Sequence, residues 1–237
     1  MFKVGVLGKL YQDTILVVHA IAYGDTNECS TIIKKFGGMY NLSELSFLDL
    51  KFNYMPIGIK NAFIISNKLS SERTSFVINE KESDVSYQTI LKINKNNDWL
   101  HISYIDDIEK YKNILSLDIP FSLDFCTLKN RTEYLQIIKK ADVIFDSRER
   151  RSLYSNLNFD TPLILHDSGG IEIIANGRKI YEESISPIEN LNVNGAGDIF
   201  AGLFLKNYLK NDLKTSAYYA MINTTKILIE KNKNEKI

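Results

Sequence analysis

The sequence predicts an α/β fold: a three-layer sandwich with a mainly parallel central sheet, plus a small β lid. Three observations predict it. From about residue 85, short apolar runs alternate with amphipathic stretches, the pattern of parallel strands joined by helices on both faces of a sheet. Before residue 80 the chain carries β-rich runs separated by polar turns, and after residue 198 its pattern is helical.

The elements follow in order. Residues 2–8 (FKVGVLG) read as a buried strand closed by a glycine. The run 14–23 is strand-like, followed by the polar turn 24–30 and by 31–36, which suits a hairpin or small sheet. Residues 37–41 break the pattern, and 42–50 place apolar residues at helical spacing. Two short strands, 62–66 and 73–79, flank a polar turn. Strands at 99–105, 119–125, 142–147 and 162–167 then alternate with helices near 107–115, 131–140 and 148–157. Residues 171–184 read as a hairpin turning at Asn176-Gly177, and helices over 198–210 and 213–231 close the chain. With no internal repeat and no long linker, residues 1–237 read as one domain whose lid comes from about 14–36 and 62–79.

Composition narrows the function. The 237 residues are 44% hydrophobic and 24% charged, enough for a substantial core. Twenty-nine basic residues balance 29 acidic ones, so no net field draws nucleic acid or an anionic membrane. The apolar stretch 15–23, interrupted by His19, is too short to span a bilayer, and 1–13 has no signal-peptide pattern. Cys29 and Cys126 form no CxxC, which argues against a zinc site or disulfide framework; a cytoplasmic location is expected.

In open α/β sheets ligands sit beyond the carboxyl ends of the strands. The candidate loops are 8–13, 37–41, Asp124, 146–149, 166–170 and 195–198. The last is the most informative. Gly195, Ala196 and Gly197 lead into Asp198 at the mouth of an apolar helix. Unpaired N–H groups at a helix start suit a phosphate, and side chains this small leave them uncovered. An acid in that same turn makes sense as a base taking a proton from a hydroxyl that attacks the phosphate. On these four residues alone a plain helix cap is the commoner explanation. There is no GxxxxGK[ST], no GxGxxG after the first strand and no GxSxG. His19, His101 and His166 share no motif, and His101 reads as a core or edge histidine.

Three separated pieces resemble the ribokinase-like (PfkB) carbohydrate kinases. The late signature turn appears as NVNGAGD with its Gly195-Ala196-Gly197-Asp198 core intact. The early Gly-Gly-x-x-Asn reads Gly37-Gly38-Met39-Tyr40-Asn41, and a first loop runs from Gly8 to Asp13. The resemblance implies that Asp198 is the base and that Gly195–Gly197 stabilise a phosphoryl group coming from ATP with Mg2+. It implies that Asp13, Gly37, Gly38 and Asn41 hold a sugar-like acceptor beneath the closing lid. A homodimer through the lid's exposed edges is the expected assembly.

The chain departs from the pattern between Asn41 and about Ala62, where a strand–helix unit reads as shortened or lost. On the nucleotide side the Asn-x-x-Glu motif reads Asp146-Ser147-Arg148-Glu149. The resemblance makes Glu149 an indirect, water-mediated magnesium residue and puts Asp146 near the nucleotide. The Thr-x-Gly loop reads His166-Asp167-Ser168, with Gly169 and Gly170 following, and Asn192 and Val193 replace the acid and threonine before the late signature. Potassium activation is therefore not expected. Ser168, Gly169, Gly170 and Asn223 complete the expected nucleotide contacts. Two alternatives stay open: a sugar-binding or regulatory relative with little or no catalysis, and, among kinases, a nucleoside kinase.

Overall fold

The computed structural model describes residues 1–19, 26–45, 48–67, 73–78, 84–105, 107–125, 129–188, 191 and 193–235. Among the described residues ten strands form one sheet: β1 (Phe2–Val18), β2 (Cys29–Gly38), β3 (Leu50–Asn67), β4 (Arg73–Val77), β5 (Trp99–Ser103), β6 (Phe121–Asp124), β7 (Val143–Ser147), β8 (Leu163–Asp167), β9 (Gly170–Ala175) and β10 (Arg178–Ser184). Their order is β10-β9-β8-β7-β6-β5-β1-β3-β4, with β2 pairing β1 off this path. Strands β3, β1, β5, β6, β7 and β8 run parallel, and β9 and β10 close that edge antiparallel. The helices are α1 (Tyr87–Asn96), α2 (Ile108–Tyr111), α3 (Leu135–Lys140), α4 (Ala196–Tyr208) and α5 (Leu213–Glu235).

Period-two alternation distributes the core. Trp99, Val143, Phe145 and Ile164 point to one face, under α4 and α5. Leu100, Ile102, Ile144, Leu163 and Leu165 point to the other, under α1, α3 and the short helical turns. Both faces are covered, as a parallel sheet requires. Helix α4 is buried from Asp198 through Leu205. A Cβ at its Gly202 would lie 2.7 Å from Leu42 Cδ2, so glycine lets the 39–45 turn pack directly on the helix.

Strand β1 belongs to two layers. Val4–Leu7 pair with β5, whereas Leu10–Val18 pair with β2 instead, and β3 accompanies β1 throughout. A bulge between Gly8 and Lys9 marks the departure. A Cβ on Gly8 would sit 2.5 Å from the Ser103 carbonyl oxygen, so a glycine is needed where β1 leaves β5. Beyond that point Ile15, Ala62 and Ile64 form a small separate cluster.

Several expectations are corrected. The run 2–8 and residues 14–18 of the second run join in one 17-residue strand, because the polar residues between them lie in the same ladder. The helical spacing at 42–50 resolves into a 3-10 turn over Met39–Leu45 and the start of β3; Leu42, Leu45, Leu48 and Leu50 all reach the same core. The helix expected near 148–157 is a 3-10 turn over Arg148–Tyr154, and 131–134 is likewise 3-10 before α3. Helix α1 is capped by Ser86, whose side chain accepts from Thr89 N–H, and the sequence pattern did not anticipate it. Residues 20–25, 68–72 and 79 of the expected lid, together with Cys126 and Asn192, lie outside the described residues. Among the described residues, no helix is long and apolar enough to cross a membrane.

Candidate active site

Helix α4 opens with Gly195 in the left-handed region at φ 81°, which favours glycine. A Cβ there would also come within 2.8 Å of Asn41 Cγ. The turn delivers Asp198 to a buried position, 3% exposed, in the first turn of α4. Asn41 Nδ2 donates to its Oδ2 at 2.8 Å, and the Tyr104 hydroxyl donates to the same oxygen at 3.0 Å. Oδ1 is buried with no hydrogen-bond partner among the described residues. Burial pushes the carboxyl up to about 6, against the two side-chain hydrogen bonds that favour the anion.

Gly37 belongs to the same constellation: a Cβ there would overlap the Asp13 carboxylate, itself 6% exposed. Gly38 has φ 63°, and a Cβ would lie 2.5 Å from both the Lys9 carbonyl oxygen and Tyr11 Cδ2. The Tyr11 ring meets that of Tyr104 at 5.5 Å. The structure thus draws Asp13, Gly37, Gly38, Asn41 and Asp198 toward one another from three distant segments.

His166, at the end of β8, approaches the other side of the α4 start. Its Cε1 would lie 3.3 Å from a Cβ on Gly197, and its ring stacks on Phe200 at 4.8 Å. Desolvation pulls its pKa down to about 4, so the ring is neutral at physiological pH. Ser168 and Gly169 form the turn after β8, and the Gly169 N–H donates to Asp167 Oδ1 at 2.8 Å. Gly170 has φ 140° with the Glu183 backbone where a side chain would be, which ties that turn to β10. At Gly170, therefore, the backbone requires glycine. Asn223 Nδ2 donates to the Tyr219 carbonyl one turn back along α5, at 2.8 Å.

Asp146, expected near the nucleotide, lies in a buried cluster of charges. It is 1% exposed, and its carboxylate is taken up from within the protein. Oδ2 receives Arg131 Nη2 at 2.8 Å and the Tyr154 hydroxyl at 2.6 Å; Oδ1 receives Arg150 Nε at 2.5 Å and Ser147 N–H at 2.8 Å. Two guanidinium groups offset its charge. The position reads as a buried ion cluster that positions the β7 loop, beside the exposed Glu149.

Sequence reasoning missed Tyr104 and Arg131. Tyr104 follows β5, so the rule of looking beyond the carboxyl end of each strand would have found it. Arg131 carried no such signal, because a lone arginine in a turn reads as solvated until its burial is known.

At the α4 start the Ala196 N–H is taken up by the Val193 carbonyl at 3.0 Å, while Gly197 places no side chain over its own N–H, and that donor at the positive end of the helix suits a phosphate. Among the described residues no cluster of three or more potential ligands could cage a metal. A magnesium ion held by substrate phosphates and waters would need no such cage; Glu149 is exposed in the first turn of the 148–154 segment.

No family model matches the chain, and no curated protein matches it. Solved structures do. A microbiome-derived acarbose kinase superposes with a TM-score of 0.69 at 16% identity, covering 94% of this chain and 91% of that one. The Methanocaldococcus jannaschii nucleoside kinase, an archaeal member of the ribokinase family, gives 0.64 at 17% identity, covering 97% and 99%. A ribokinase from Cryptococcus neoformans in complex with ADP gives 0.65 at 11% identity, covering 94% and 93%. The mainly parallel sheet, its order and these superpositions agree: the chain has the ribokinase-like fold.

Proposed function

We propose that this protein is an ATP-dependent phosphotransferase acting on a hydroxyl, in particular a primary hydroxymethyl group, of a sugar or sugar derivative. The observation that carries the reading is Asp198: a buried carboxylate at a helix start, fixed through one oxygen and unpartnered at the other among the described residues. The names of the superposed structures, sugar-type and nucleoside kinases and an ADP complex, support the same class.

Bound Mg-ATP supplies the phosphoryl group. The chain's own residues do the rest. Asp198 takes the proton of the acceptor hydroxyl, and a carboxyl held near pH 6 is ionised yet still basic at neutral pH. The Gly195–Gly197 backbone and the α4 dipole stabilise negative charge that develops beside it. Asp13 and Asn41, braced by Gly37 and Gly195, orient acceptor hydroxyls. The β2–β4 extension and the outer half of β1 form a lid that limits water attack.

The lid also supports a homodimer. Phe63 and Phe76 face each other across β3 and β4, at 46% and 57% exposed. Ile32 and Phe36 of β2 share that face at 61% and 49% exposed, opposite the face of Asp13 and Ile15. An exposed apolar face of this kind suits a second copy of the chain. A cytoplasmic setting fits the composition.

A nucleoside acceptor is the second reading, favoured by the Tyr11–Tyr104 ring pair beside Asp198, which suits a planar base. The test is coupled ADP release with Mg-ATP across sugars, sugar acids, aminosugars and nucleosides. Turnover with a sugar supports the proposal, turnover only with nucleosides the second reading. No turnover, with sugar binding retained and Mg-ATP binding absent in titration calorimetry, would instead indicate a non-catalytic relative.

A further inference from the structure

Tyr104 is the non-glycine residue at the site whose backbone is in the left-handed region, with φ 62°. That conformation costs an L-residue about 1–2 kcal/mol and persists only where the surroundings hold it. Here the backbone, the ring and the hydroxyl are each held. Its N–H donates to the Asp124 carbonyl at the end of β6 (3.1 Å), its ring lies against Tyr11 at 5.5 Å, and its hydroxyl donates to Asp198 Oδ2 at 3.0 Å. The hydroxyl is thus delivered to the carboxylate by the sheet, not by a free rotamer.

The two donors converge. Tyr104 and Asn41 both bind Oδ2, which leaves Oδ1 as the buried oxygen without a partner among the described residues. An oxygen carrying two charge-assisted hydrogen bonds is a poor proton acceptor, and its twin is correspondingly the better one. We infer that Tyr104 is a positioning residue that, with Asn41, commits Asp198 to accepting the proton at Oδ1. This inference rests on the phosphotransferase reading. The acceptor O–H proton passes to Oδ1, the freed oxygen forms a bond to the γ-phosphorus, and the bond from phosphorus to the bridging oxygen breaks, leaving ADP.

Among the described residues, the groups facing Asp198 are Asn41 of the 39–45 turn, Tyr104 and Tyr54 of β3, while His166 of β8 lies against the neighbouring Gly197. The Tyr54 phenol is pushed upward, chiefly by burial, and His166 sits at about 4. Neither changes charge between pH 5 and 8, so neither contributes an acidic limb of activity in that range, where Asp198 titrates at about 6.

Tyr104→Phe keeps the ring and removes the donor. The expected result is an acidic limb of kcat/KM moved to higher pH, with activity at pH 6 down roughly three- to tenfold and recovering by pH 8. The acceptor KM stays within about twofold. The Asp198 carboxyl 13C resonance titrates at a correspondingly higher pH. An equal loss of activity at every pH, with that titration unmoved, would overturn the inference and leave Tyr104 a packing residue. If wild type turns over no acceptor, the phosphotransferase reading fails; the resonance still decides whether Tyr104 controls Asp198, upward movement of its midpoint supporting it and none overturning it. Should Tyr104→Phe not fold, site-specific 3-fluorotyrosine at 104, a stronger donor, is expected to move the same midpoint downward; no movement overturns the inference.

Discussion

Asn41 and Asp198 are 157 residues apart in sequence, and the amide of the first donates to the carboxylate of the second at 2.8 Å. The bond joins the two motifs, the early glycine pair and the late glycine turn, into one site. It exists because Leu42 and Leu45 pack on α4 over Gly202 while Gly195 clears a path beneath Asn41. Packing here sets the chemistry.

Gly195→Ala should therefore damage both stability and turnover. The new Cβ would meet Asn41 Cγ at 2.8 Å, and the residue would be held at φ 81°. We expect a loss of about 1–3 kcal/mol in urea unfolding and a fall in kcat/KM of at least about tenfold as Asp198 is displaced.

Asp198 should cost stability at neutral pH. Its folded-state value, near 6, lies above the ordinary 3.8, so the native state holds the proton more tightly than the unfolded chain. Stability contributed by this site is present below about pH 4 and is lost as pH rises through 6. Asp198→Asn should raise stability by about 1–3 kcal/mol at pH 8 and have little effect at pH 4, measured by thermal unfolding at both values.

His101 works in the opposite direction. It is fully buried, bonded through Nδ1 to Ser122 Oγ at 2.9 Å, and desolvation pulls its pKa down to about 4. Between about pH 6.5 and 4 the unfolded chain binds the proton and the native state does not, so stability falls as pH drops. The loss approaches about 3 kcal/mol at this site. His101→Gln should flatten the acid limb of a stability profile, whatever its effect at pH 7.

The buried ion cluster predicts non-additivity. Arg131 is fully buried between Asp146 and the Phe125 ring, 4.4 Å from its centroid. Arg131→Met alone should cost about 3–5 kcal/mol, because Asp146 loses a partner in a dry site. The pair Arg131→Met with Asp146→Asn should cost less than the sum of the singles, as a double-mutant cycle in urea would show.

Much of this architecture was legible in the sequence. The alternating runs from residue 99 to 167 mark β5 through β8, and Asn176-Gly177 sits at the β9–β10 turn with φ 51° and 68°. The glycine motifs identified segments that the fold brings together. The single long β1 was harder to see, because a strand crossing from a buried sheet into a half-exposed extension changes its burial pattern midway. Strand β3 was obscured for a similar reason, with Asn53 and Pro56 inside it, Pro56 at the bulge. The 3-10 turns kept apolar residues at near-helical spacing without being α-helices. The ion pairs of Asp146 were not legible, because the arginines that neutralise it are identifiable only by burial.

The central claim is that Asp198 takes the acceptor's proton. The most direct measurement is Mg-ATP-dependent ADP release by wild type and Asp198→Asn, using the best acceptor from the panel, with acceptor affinity measured in parallel. The account predicts a loss of at least about 1,000-fold in kcat with acceptor binding kept within a few-fold. A variant turning over within a few-fold of wild type would contradict it.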